Sequence, residues 1–412
     1  MKFTRRRIEP LRADVLRALG ARDGWLVETP EVLHVGFGEL AEQITLAGGL
    51  DTTTDAVASL ARHGLVGDEG PAGTGVVAFA TLPYDRLAPG EMQLAQFTIT
   101  QANGDTWITA LDDSDMWRDL YDSVRPAVQE TQSLRSLTYQ PTPEEYAHNV
   151  ALAVEILRRK EIDKVVLARA VLGSVPEIID AAAIAQRLKV REPICTLYSL
   201  PTGDGRRFVG ASPELLVRRT GTEILCHPLA GTITLPPNVA PDDYETWLLG
   251  STKNLHEHGV VVDEIVRNLA NVYDDITADA EPSIVTLRTV AHLGTWISAQ
   301  SHNLDDAPDA LEVLRMLHPT AAVGGIPRES AYELIRRLEE HDRGNFAGPL
   351  GWIDAEGDGE WWIALRGVLL AGREFEAWAG AGIVSESDPI AEREETKDKL
   401  NVVLSSVLVD RV

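Results

Sequence analysis

Apolar and polar positions change rhythm along the chain, and that change divides it. Up to about Gln140 the apolar runs are short and separated by Gly, Pro and Asp, as in Trp25-Leu26-Val27 and Gly75-Val76-Val77-Ala78-Phe79-Ala80. This predicts alternating short strands and loops. Ser133 to Pro143 is polar and reads as a connection. From Pro143 to Lys160 the spacing of Tyr146, Val150, Val154 and Leu157 is helical, and a strand is predicted directly after it, from Lys164 to Leu172. Ser251 to Ile276 predicts a long helix with a core stripe of Leu255, Val262, Ile265, Val266 and Leu269. At roughly 100° per residue, Glu257 lies about 200° from Leu255 and so leaves that stripe, whereas Glu264 lies near it. A last helix carries Leu400, Val403, Leu404 and Val407 on its core face. With no internal repeat and no regular βαβ series, the order of elements predicts an α+β fold of large antiparallel sheets covered by helices. The division falls between residues 1–140 and 141–412.

Composition narrows the function. The 412 residues are 44% hydrophobic and 25% charged, which are globular values, and the formal charge is −25. Such a surface repels nucleic acid and anionic membranes, so neither is an expected partner. An anionic small molecule is admitted only where local cations or a metal reverse the field. Cys195 and Cys226 form no CxxC pair, and no stretch of about 18 uncharged apolar residues exists, which predicts a soluble protein of the reducing cytoplasm.

Several places carry residues suited to chemistry, and most have an ordinary reading beside them. In the strand from Lys164, Lys164 shares a face with Val166, Ala168 and Ala170; a buried lysine there is a candidate base, a solvated strand-end lysine the plain reading. Glu214, in Gly210-Ala211-Ser212-Pro213-Glu214, occupies the place of the second glycine of a nucleophile elbow, which disfavours a serine hydrolase. Desolvated, Glu214 is a candidate acid; solvated, a turn residue. His256 and His258 flank Glu257 at a spacing that diverges on a helix, unlike the four-residue spacing of a zinc helix. Glu392, Glu395 and Lys399 share a helix face, or form a surface pair. Ala379-Gly380-Ala381-Gly382-Ile383 reads as an unobstructed turn able to cradle a carboxylate, and Arg366 ends a strand as a possible carboxylate clamp. By contrast, Gly70 to Gly75 lacks the ending of a phosphate loop and reads as a plain loop feeding a strand. Together the set lists what a metal-assisted reaction on a small polycarboxylate requires.

The same residues, in order, resemble the chorismate-utilising enzymes. The resemblance rests on Lys164–Arg169, Gly210–Leu216, Pro228–Thr232, Leu255–His258, His318–Pro327, Ala347–Trp352, Gly357–Arg366, Ala379–Val384 and Glu394–Thr396, and spans roughly residues 143–408. It implies the fold of anthranilate synthase component I and, within the family, the isochorismate synthase pattern. On this resemblance Lys164 would take a proton from the water that attacks C2 of chorismate, while Glu214 protonates the departing C4 hydroxyl. Glu257 and Glu395 would bind Mg²⁺, with Glu392 behind them. Arg366, Lys399 and the backbone of Gly380 and Gly382 would hold the enolpyruvyl carboxylate, with Thr232 and His292 also in the substrate pocket. A monomer without a glutaminase subunit is implied, supplying isochorismate for menaquinone or siderophore synthesis.

Single positions sort the sibling activities. Anthranilate synthases carry Gln where Lys164 stands, and aminodeoxychorismate synthases a lysine where Ala230 stands. Salicylate synthases share Lys164 and Glu214; against them stand Ala211, His318-Pro319, Phe346 and Gly351-Trp352. Salicylate synthase and a catalytically degenerate chorismate-binding subunit remain the alternatives. Asn254 and Ile233 depart from the family pattern, where Asp or Glu and Arg are common.

Overall fold

The computed structural model describes residues 1–51, 56–235, 241–304 and 307–409; for Pro241 and Asp242 it describes the backbone only. Its frame is a sheet of twenty strands that pair largely antiparallel, joined by a separate sheet of three strands. Strands from both sides of residue 140 belong to the large sheet. Helices cover it, and the apolar side chains between the layers gather into two large cores. The α+β architecture is therefore as the sequence predicts.

The N-terminal part has longer strands than its short apolar runs suggest. Val32–Leu46 and Gly90–Ala102 pair along most of their length, with register shifts around Leu40. Trp25–Glu28 and Val77–Thr81 are strands as expected, and a helix, Ala13–Asp23, lies before them. The polar passage after Ser133 is more than a connection. Ser136–Gln140 is a strand paired with Ser174 back to Ala170. Its polar side chains hid it, because the backbone ladder supplies the bonding that apolar alternation normally advertises.

The helix predicted from Pro143 runs Pro143–Leu157. Thr142 and Glu145 form a reciprocal cap at its start, and Tyr146, Val150, Val154 and Leu157 are buried as the spacing requires. The strand that follows, Lys164–Ser174, is the spine of the site. One edge pairs with Glu374–Ile383 over ten residues; the other pairs with Ser136–Gln140 and with the short Gly325–Ile326 strand.

Two expectations are corrected here. The helix predicted from Ser251 to Ile276 ends at Leu269, and Ile276 lies in the Asp275–Ala278 strand. Its buried face is also rotated: Asn254, Glu257, His258, Val261, Glu264, Ile265 and Leu269 are buried, while Leu255 is 38% exposed. An amphipathic stripe locates the core only when the other face meets water. Here a polar face is turned inward, towards a pocket. Second, Gly380 to Ile383 is the end of the Glu374–Ile383 strand rather than a turn. Among the described residues, no helix is long and apolar enough to cross a membrane.

Candidate active site

A pocket opens where the Lys164–Ser174 and Glu374–Ile383 strands meet the Thr252–Leu269 and Pro389–Leu404 helices. About 750 Å³ of space, mouth included, is bounded by Glu214, Thr232, Glu257, His292, Arg366, Gly380, Gly382, Glu395 and Lys399. Nine of the residues singled out in the sequence thus converge, from positions almost 190 residues apart. Its apolar wall includes Leu229, Val323, Leu365 and the stacked pair Phe346 and Trp378, with ring centroids 5.7 Å apart. Lys164 and Glu392 are not among the lining residues; Lys164 contacts the lining residue Glu257, and Glu392 contacts Lys253.

Lys164 is fully buried, which overturns the solvated strand-end reading. Its Nζ is 3.2 Å from Glu257 Oε1. Burial pushes the Glu257 carboxyl up, but Lys164, Lys253 and Lys399 together hold it below its ordinary value. Gly382 makes this pairing possible. A Cβ there would overlap Glu257 Oε1 and come within 3.0 Å of Lys164 Cε. The glycine is needed for close approach rather than for turn geometry. Gly382→Ala is accordingly expected to displace Glu257 and lower turnover about tenfold or more, because the acid face of the pocket loses its geometry. Steady-state rates beside a thermal melt check this; wild-type turnover in a folded variant would mean that Glu257 can move aside without cost.

Glu214 follows the Arg207–Ser212 strand and precedes Leu215–Thr220. Its backbone N–H donates to Ser212 Oγ at 3.3 Å, and its C=O accepts from Ile363 N–H at 3.1 Å, so both ends of the turn are tied. Burial raises its carboxyl from 4.5 to about 7, against the N–H of Leu229 and the charges of Lys164 and Lys399. Near neutrality it therefore still carries a proton in a large fraction of molecules.

On the opposite wall three residues form a row. Arg366 Nη2 donates to His292 Nε2 at 2.7 Å, and His292 Nδ1 lies 3.0 Å from Thr232 Oγ1. Burial, then Arg366 and Lys399, hold His292 well below its ordinary pKa, so the ring is neutral. Because Nε2 accepts from the guanidinium, Nδ1 carries the hydrogen and donates to Thr232. Arg366 sits in a left-handed turn at φ 50° between strands rather than at a strand end. Its Nη1 is buried and has no hydrogen-bond partner among the described residues.

The carboxylates of the two helices come as lysine pairs. Asp388 caps the Pro389–Leu404 helix, and Lys399 Nζ reaches both Glu395 Oε1 at 2.6 Å and Gly380 O at 3.0 Å. Lys253 Nζ donates to Glu392 Oε1 at 2.6 Å. Burial and the neighbouring Glu395 push Glu392 up. Lys253 is raised despite burial, because Glu392, Glu257 and Glu395 all act on it. Three carboxylates from two helices thus focus negative charge on one ammonium, the oxygen donor chemistry that suits a hard divalent cation. Among the described residues, no three His, Cys, Asp or Glu side chains stand together as a ready-made metal cluster.

Two contributors escaped the sequence reading: Lys253, four residues before Glu257 on the same helix, and Arg343, which lines the pocket. The i,i+4 spacing of Lys253 with Glu257 and of Glu339 with Arg343 was the available signal.

Comparison with known proteins agrees with this geometry. The family model described as "Chorismate binding enzyme" matches residues 29–408. The vibriobactin-specific isochorismate synthase of Vibrio cholerae serotype O1 is 35% identical over 298 residues, which are 71% of this chain and 75% of that protein. In fold the chain is similar to MenF, the menaquinone-specific isochorismate synthase from Escherichia coli, with a TM-score of 0.80 at 23% identity over 98% of this chain and 94% of that one. Anthranilate synthase component I from Streptococcus pneumoniae has a TM-score of 0.74 at 21% identity over 91% and 92% of the two chains, so the fold is the one the resemblance implies. The chain belongs to the chorismate-binding enzyme family.

Proposed function

We propose that this chain is an isochorismate synthase, converting chorismate to isochorismate with Mg²⁺ as cofactor. The observation that carries the reading is the pairing of a buried, turn-locked acid poised at about 7, Glu214, with a fully buried amine, Lys164, at one pocket. Its support from relatives is the 35% identity to an isochorismate synthase.

In this reading Lys164, as the free amine, takes a proton from water, and the water oxygen bonds to C2 of chorismate. The ring double bonds shift, and the C4 hydroxyl leaves as water with the proton of Glu214. One water is consumed and one released, so the reaction is an isomerisation. Arg366, held in place by the neutral His292 and Thr232, would pair with a substrate carboxylate; its unpartnered Nη1 leaves a donor for that purpose. Lys399, and the Gly380 and Gly382 strand without side chains, would complete the carboxylate site. The apolar Phe346–Trp378 wall excludes bulk water from the ring.

Glu257 and Glu395, with Glu392 behind them, would hold Mg²⁺, whose charge would neutralise these carboxylates and the substrate's ring carboxylate. Lys164 Nζ stands 3.2 Å from Glu257 Oε1, so the ion would sit beside the amine that receives the proton. The −25 formal charge is compatible with a dianionic substrate on the same ground: the cations are concentrated at the pocket.

The test is product analysis by chromatography after purified protein, chorismate and Mg²⁺ are mixed, with an EDTA control. Isochorismate approaching equilibrium with chorismate, and lost with EDTA, is the expected result. Salicylate with stoichiometric pyruvate would reassign the chain to salicylate synthesis. Unchanged chorismate would reduce it to a binding subunit.

A further inference from the structure

The outer edge of the Lys164–Ser174 strand has a gap. Gly325–Ile326 pairs with Val165 and Lys164, and Val166 N–H donates to Gly324 O at 2.7 Å. Pairing resumes only at Ala170, opposite Gln140. Between these two partners lie Val166 C=O and Ala168 N–H, buried groups that no strand among the described residues reaches on this edge. An unsatisfied buried backbone group is costly, so such a gap must be filled.

Two side chains fill it. Glu339 Oε1 accepts from Ala168 N–H at 2.7 Å, and Arg343 Nη2 donates to Val166 O at 2.8 Å. The two side chains are themselves joined twice, Nε to Oε2 at 2.8 Å and Nη2 to Oε1 at 2.5 Å. Arg343 Nη1 then reaches Val323 O at 2.7 Å. Glu339 and Arg343 are 8% and 4% exposed, and the guanidinium lies 4.4 Å from the Tyr84 ring centroid. One guanidinium therefore fastens the base-bearing strand, two residues beyond Lys164, to the segment whose Ala322 and Val323 form part of the pocket wall.

We propose that Arg343 and Glu339 act as a positioning pair, a side-chain substitute for a missing strand, which sets where Lys164 and the Ala322–Val323 wall stand relative to the substrate. The inference rests on the proposed reaction. A buried ion pair is a poor stability device, since an apolar pair of similar volume commonly serves as well. What an apolar pair cannot do is bond to Val166 O, Val323 O and Ala168 N–H at once. Lysine cannot do it either, because its single nitrogen lacks the planar fork that spans three acceptors.

The experiment compares Arg343→Met, Arg343→Lys, Glu339→Gln and the double variant Arg343→Met/Glu339→Met. The double variant removes the charges together, so it keeps the protein folded and isolates the lost backbone bonds. Expected is a fall in kcat of roughly ten- to a hundredfold for Arg343→Met, Arg343→Lys and the double variant, with KM for chorismate within about threefold, because the reacting groups shift while the carboxylate contacts stay. Glu339→Gln keeps an acceptor for Ala168 N–H and is expected to recover most of the rate. Hydrogen exchange is the second readout. Amides of residues 164–170 and 321–326 are expected to exchange faster in the double variant, with other strands unchanged.

A double variant that is folded and retains wild-type kcat would overturn the proposal, as would slower turnover with exchange unchanged at those two segments. If the wild-type protein leaves chorismate unchanged, the functional reading fails by itself, and hydrogen exchange still decides whether the pair holds the strand.

Discussion

Glu214→Gln is expected to lower kcat by roughly 10²- to 10⁴-fold, the range for loss of a general acid, while KM for chorismate changes little. The amide keeps the shape and the neutral charge of a protonated carboxyl but has no proton to give. Burial holds the carboxyl at about 7 in the fold against 4.5 when solvated. The active form is the protonated one, so wild-type turnover should decline as pH rises through about 7, and the variant's residual rate should lack that decline. Stability moves in a linked way. A carboxyl raised on folding contributes fully below 4.5, and its contribution is lost as pH rises towards and through 7. Glu214→Gln, which never ionises, should therefore melt higher than wild type at pH 8 and equally at pH 4. A variant with half the wild-type rate, or a wild-type profile flat across pH 6 to 8, would remove Glu214 as the acid.

Lys164→Met is expected to abolish turnover on a similar scale, roughly 10²- to 10⁴-fold, and to destabilise as well. The lysine is fully buried and stands 3.2 Å from Glu257, itself 7% exposed. Removing one member strands the other, which costs about 3–5 kcal/mol for a buried pair. Methionine fills most of the volume, so a fall in melting temperature would report the stranded charge rather than a cavity. The double variant Lys164→Met/Glu257→Gln should recover much of the melting temperature and none of the rate. Such a split distinguishes a chemical role from a structural one. If Lys164→Met keeps more than a tenth of wild-type kcat, the base lies elsewhere.

Much of this site was legible because it is written in local order. Lys164 beside two alanines, Glu214 in a Pro-containing turn, and the Glu395–Lys399 spacing each pointed to residues that the fold gathers at or against one pocket. Their neighbours were not legible. Sequence spacing aligned Leu255 with the core and turned Glu257 away, yet Leu255 is exposed and Glu257 buried. The helical period was right, but only the partner surface decides which face is inside, and here that surface is a polar pocket. The small side chains of Ala379 to Gly382 predict an unobstructed turn. Pairing with Ala168 and Val166 makes it a strand.

By itself the sequence determined the α+β class, the helix and strand around residues 143–174, and nine of the residues that line the pocket. These follow from periodicity, capping and the order of motifs, all of which act over a few residues. Only the tertiary structure decided which charges face one another. Lys164 with Glu257, Lys253 with Glu392, Arg366 with His292, and Arg343 with the backbone of Val166 are contacts between residues 74 to 177 positions apart. The energy of a charge depends on its solvent and its partner, and in a folded chain both are supplied by segments remote in sequence.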